Sequence, residues 1–69
     1  MQAKFYVPTL QDEDSAKAVK ETILTSEPKA KVDIDVAAKT ISIESEASEE
    51  TFNELIVAKG HTIDKVEQS

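Results

Sequence analysis

Three consecutive acids, Asp12, Glu13 and Asp14, stand immediately before Ser15 and the helical pattern that follows, and the single histidine, His61, lies far along the chain. Three carboxylates and one imidazole form a donor set for borderline or hard divalent ions such as Zn, Co, Ni or Mn, held weakly if the loop is exposed. The same acids also have a purely structural use. At a helix start, Asp14 or Ser15 caps the orphan backbone N–H groups, and neighbouring negative charge complements the positive end of the helix dipole. Capping is the favoured reading, because acids concentrate at helix starts. His61 by itself reads as a solvated loop histidine.

Other chemistries are excluded by residue type. The chain has no cysteine, so thiolate catalysis, disulfides, zinc knuckles and iron–sulfur clusters are all out of reach. Fourteen acids against eight lysines and no arginine give a net charge of −6, which argues against nucleic acid and anionic ligands as partners. Asp33 and Asp35 lack the glycine turn and distal glutamate of a calcium loop. No serine sits in a strained turn beside a histidine, so the expectation is no enzyme. The apolar runs are short, and neither a signal peptide nor a membrane span is expected; cytoplasmic location is the default.

These residues must be positioned by a single domain spanning 1–69, long enough for one small core. Ala3, Phe5 and Val7 alternate as a strand ended by Pro8, and the loop "PTLQD" leads into a helix expected from about Asp14 to Thr25, with Ala16, Val19 and Ile23 inward and Pro28 beyond its end. Ala30, Val32, Ile34 and Val36 alternate with Lys31, Asp33 and Asp35, and after the turn "VAAK" the chain runs back with Ile41 and Ile43 inward. Ser48, with Glu49 and Glu50, starts a second helix carrying Phe52, Leu55 and Ile56; Gly60 suits the left-handed position past its end. "HTIDKV" is expected as a last short strand with Ile63 inward.

The order strand, helix, strand, strand, helix, strand predicts an α+β, ferredoxin-like sandwich: a four-stranded antiparallel sheet with both helices on one face. The expected core is Phe5, Val7, Val19, Ile23, Val32, Ile34, Ile41, Ile43, Phe52, Leu55, Ile56 and Ile63. An RNA-recognition use of this fold needs an aromatic, basic open sheet face, and here that face offers only Tyr6 with Lys4, Thr40 and Ser42.

The stretches "FYVPTLQDEDSAKAV", "VDIDVAAKTISIES" and "ELIVAKGHTI" together resemble the heavy-metal-associated (HMA) family, in particular its small copper metallochaperones. In that family the loop after the first strand carries a methionine-x-cysteine-x-x-cysteine motif whose thiolates hold Cu(I). The resemblance sets Leu10 at the methionine, Asp12 at the first cysteine and Ser15 at the second, so the two family ligand positions carry oxygen. His61 occupies the place where some bacterial-type members have histidine and others tyrosine or lysine. The resemblance implies a non-enzymatic, metallochaperone-like protein of metal homeostasis with an altered metal site that does not bind Cu(I) tightly. Any ion held is a weakly bound divalent metal at Asp12, Glu13, Asp14 and His61. It also implies a monomer that meets another protein domain, of HMA type, through Leu10, Gln11, Asp12, Glu13 and His61. The alternative is a cysteine-free interaction or regulatory module that docks such partners without carrying metal.

Overall fold

The computed structural model describes residues 1–68. Its elements are β1 (Gln2–Tyr6), α1 (Glu13–Ser26), β2 (Lys31–Asp35), β3 (Thr40–Glu44), α2 (Glu49–Ala58) and β4 (Lys65–Gln68). The strands form one sheet in the order β2-β3-β1-β4, with every neighbouring pair antiparallel. This is the ferredoxin-like arrangement expected from the one-sided periodicity of the elements.

Alternation in β1 turns Ala3 and Phe5 to the same side as Ile41 and Ile43 of β3. Both helices close over that side. Val19 and Ile23 of α1 and Phe52 and Ile56 of α2 join the strand residues in one buried cluster, and Val7 and Leu10 complete it from the loop after β1. Each fully buried aliphatic or aromatic side chain contributes about 1.5–3 kcal/mol by its removal from water. Val32, Ile34, Leu55 and Ile63, all expected in the core, are only partly buried and pack around its rim. For Val32 and Ile34 the reason is topological: β2 is an edge strand with β3 on one side only.

The last strand differs from expectation. The segment 61–64 is not strand; β4 begins at Lys65, and Val66 rather than Ile63 stands opposite Phe5. The lead-in keeps one bond to β1, the Asp64 N–H donating to the Tyr6 carbonyl at 2.7 Å, while hydrogen bonds to Thr9 described below hold the residues just before it.

The β2–β3 connection Val36–Lys39 has neither glycine nor asparagine. It closes with Lys39 in the left-handed region at φ 57°. The Lys39 N–H donates to the Val36 carbonyl at 3.2 Å, and the Ala38 N–H donates to Asp35 Oδ1 at 3.1 Å, so the aspartate organises the turn.

Candidate functional site

Three connections meet at one end of the sheet: the loop from Val7 to Asp12, the Val36–Lys39 turn, and the segment after α2. Pairing of β1 with β3 continues past the strand end, where the Val7 N–H donates to the Lys39 carbonyl at 2.8 Å. The Lys39 side chain then reaches over the loop, and its Nζ donates to the Leu10 carbonyl at 2.5 Å. Inside the loop the Leu10 N–H donates to the Val7 carbonyl at 3.0 Å, turning the Leu10 side chain into the core, where it is fully buried. Leu10, expected on the interaction surface, instead belongs to the core, because its apolar side chain gains more from burial than it offers to a partner.

The helix cap is Asp12, two or three residues before the expected Asp14 or Ser15. Asp12 has extended backbone angles and its Oδ1 accepts the Ser15 N–H at 2.8 Å. That bond, made to the charged form, holds the Asp12 carboxyl below the usual carboxylate range. Glu13 and Asp14 occupy the first turn of α1, exposed, where their charge complements the dipole. The acids thus serve the helix start as the favoured reading has it, with the cap shifted to Asp12.

His61 is placed by the end of α2. Gly60 takes φ 88°, its N–H donates to the Val57 carbonyl at 2.9 Å, and the His61 N–H donates to the Ile56 carbonyl at 3.4 Å. These two bonds are the Schellman closure, which a residue without Cβ adopts without steric cost. The chain then turns His61 toward the β1–α1 loop, where its Nδ1 is hydrogen-bonded to Thr9 Oγ1 at 2.8 Å. The same hydroxyl accepts the Thr62 N–H at 3.1 Å. Thr9 therefore ties the loop to the segment after α2.

Among the described residues, no three histidine, aspartate or glutamate side chains are placed to share a metal ion. Asp12, Glu13, Asp14 and His61 are thus not gathered into one donor set in this structure: Asp12 is turned to the helix N-terminus and His61 to Thr9. Gln11, Asp12 and Glu13 are exposed and His61 half-buried, so these four form the outer surface of the site, with Ser15 half-buried behind Asp12.

Thr9 and Lys39 went unnoticed in the sequence. Thr9 gives no signal beyond a hydroxyl between Pro8 and Leu10. Lys39 becomes meaningful only once the sheet order brings the β2–β3 turn beside the first loop.

On the open face of the sheet, the Tyr6 hydroxyl donates to Glu67 Oε1 at 2.5 Å, and the acceptor carboxylate holds the phenol above its ordinary value. Lys65 Nζ lies 4.9 Å from the ring centroid. Tyr6 is thus engaged within the sheet, and Thr40 beside it is buried.

No family model and no curated protein matches the chain. Solved structures do. The copper chaperone Atx1 from Synechocystis PCC6803, in its Cu2 form, is 30% identical, with 88% of this chain and 97% of that one covered and a TM-score of 0.83. The cyanobacterial copper metallochaperone ScAtx1 is 30% identical over 93% of this chain and 100% of that one, with a TM-score of 0.79. A gold binding protein is 26% identical over 88% and 94% of the two chains, with a TM-score of 0.85. With one fold and 30% identity over 97% of the Synechocystis chaperone, the chain belongs to the Atx1-type, heavy-metal-associated family.

Proposed function

We propose that this chain is a small, non-enzymatic, cytoplasmic protein of metal homeostasis that keeps the metallochaperone scaffold and lacks its grip on soft metal. It does not retain Cu(I), and a divalent ion meets only exposed carboxylates that hold it weakly. The observation that carries this reading is the Asp12 Oδ1 to Ser15 N–H bond, 2.8 Å long. Of the two positions that the resemblance equates with the family's cysteines, Asp12 commits its carboxylate to capping the helix and Ser15 supplies the backbone N–H it accepts. Cu(I) is selected by thiolate and thioether donors. Asp12 supplies hard oxygen, Ser15 a neutral hydroxyl, and Leu10 a buried hydrocarbon. The partner is another protein domain, met through Gln11, Asp12 and Glu13, the exposed rim of the loop, and the half-buried His61 beside it.

The test is restoration. Asp12→Cys with Ser15→Cys puts two sulfurs at a helix N-terminus, where the dipole lowers thiol pKa. The double variant should compete with a Cu(I) chelator, each single variant far less. Failure of the correctly folded double variant to compete would show that these positions do not correspond to the family's cysteines.

A further inference from the structure

β2 leaves one edge of the sheet open, and the pairing pattern identifies which backbone groups point out of it. In β1 and β3, bonds at both ends of the ladder, Val7 N–H to Lys39 carbonyl and Ser45 N–H to Met1 carbonyl, lie on the same register as Ala3↔Ile43 and Phe5↔Ile41. Those are therefore the hydrogen-bonded pairs of β1 with β3, so Thr40, Ser42 and Glu44 turn their backbone groups to β2. Their partners there are Asp35, Asp33 and Lys31. The N–H and C=O groups of Val32 and Ile34 consequently point to the open edge. Both residues are also only half-buried although they face the core side, so the edge exposes apolar surface along with unpaired backbone.

Edge strands are ordinarily blunted by charge. Here the charges have an order: the stretch Lys29-Ala30-Lys31-Val32-Asp33-Ile34-Asp35 is self-complementary about Val32. When two copies align antiparallel with Val32 opposite Val32, Lys31 faces Asp33 twice within the strands, while Lys29, in the turn closed by the Ala30 N–H to Glu27 carbonyl bond, lies just beyond the strand end toward Asp35 of the other copy. No like charges meet. The apolar Val32 pairs with Val32, Ile34 extends past the other strand's start toward Ala30, and every strand side chain stays on its own face. Val32 forms a hydrogen-bonded pair in this register, the one its outward N–H and C=O require. The neighbouring register, with Asp33 opposite Asp33, sets two carboxylates face to face. All four charged residues are exposed, and among the described residues Lys29, Lys31 and Asp33 form no ion pair or side-chain hydrogen bond. By contrast, Lys65 and Glu67 of the opposite edge strand pair with each other at 3.8 Å.

We infer that β2 is a homodimerisation edge: a second copy of this chain pairs with it antiparallel about Val32, giving a continuous eight-stranded sheet with all four helices on one face. This replaces the monomer expected from the sequence and is independent of the metal reading. A single strand pair covers less than the roughly 1,200 Å² of stable interfaces, so the dimer belongs to the weak, transient class.

The experiment is sedimentation equilibrium of the full chain from about 10 μM to about 2 mM, with amide exchange over the same range. The mass should rise to twice the monomer and stop. Val32 and Ile34 amides should gain protection with concentration while Lys31 and Asp33 amides, already bonded to β3, do not. Lys31→Asp and Asp33→Lys each convert two attractive pairs to repulsive ones and should weaken association about tenfold. Their equimolar mixture restores every complementary pair and should regain wild-type association. Asp33→Lys is the sharper arm, since it lowers net negative charge and would strengthen association if only global repulsion mattered. A wild type that is monomeric throughout overturns the inference and leaves the charges as simple edge protection. So does mass growth beyond a dimer, which marks open-ended β2 to β4 pairing, or a mixture that fails to regain association. The amide readout uses wild type alone and so stands whatever the variants' folding.

Discussion

Thr9→Val probes the tie that locates His61. The substitution keeps the side-chain shape and removes the hydroxyl, and with it the Thr62 N–H bond of 3.1 Å and the His61 Nδ1 bond of 2.8 Å. A typical intramolecular hydrogen bond contributes about 1 kcal/mol net. Because Thr62 is exposed and His61 half-buried, water replaces part of what is lost, and the expected cost is about 1–2 kcal/mol. In a domain of this size that lowers the melting temperature by about 7–14 °C. Urea unfolding followed by far-UV circular dichroism measures the first quantity and a thermal melt the second, with His61 ring resonances reporting local displacement. Thr9→Ser is the control, since it retains the hydroxyl and should preserve the His61 resonances. Thr9→Val that unfolds at the wild-type urea concentration, with His61 resonances unmoved, would refute the assignment of Thr9 as the tie between the two loops.

Two further outcomes follow from burial and charge. Phe52→Ala, at a fully buried position, should cost about 3–5 kcal/mol, comparable with the whole stability of a small domain; Ile34→Ala, on the half-buried edge, should cost clearly less in the same denaturation assay. For Asp12 the sign follows from linkage. Its carboxyl is lowered in the fold by the Ser15 N–H, so its stabilising contribution is complete above the unfolded carboxylate range, about pH 4–5, and disappears as pH falls through the lower folded value. Asp12→Asn keeps a capping oxygen but has no such titration, and its melting temperature should fall less steeply than wild type between about pH 5 and pH 2.

The fold was legible because each element carries its own one-sided pattern. Ala16, Val19 and Ile23 fix the buried stripe of α1, and Ile41 with Ile43 fixes the inner face of β3. Helix termini were readable where a residue type has one dominant use: Ser48 caps α2, and Gly60 takes the left-handed position. Among three adjacent acids the cap was ambiguous, since each can accept an N–H from the first turn, and the choice of Asp12 depends on where the loop leaves Leu10. Burial of Leu10 pulls the chain inward at that point, a tertiary effect with no local signature. The last strand departs from its expected position for a similar reason: 61–64 alternates weakly, and the Thr9 contacts that divert it come from the other end of the chain.

If the Atx1-type scaffold lacks soft-metal retention as proposed, the wild-type protein should fail to compete with a chromophoric Cu(I) chelator under anaerobic, reducing conditions, with amide spectra recorded alongside. The chelator should keep its copper, and the Asp12, Ser15 and His61 amides should not shift. Withdrawal of Cu(I) from the chelator by the cysteine-free chain, with shifts centred on Asp12 and His61, would contradict the proposal.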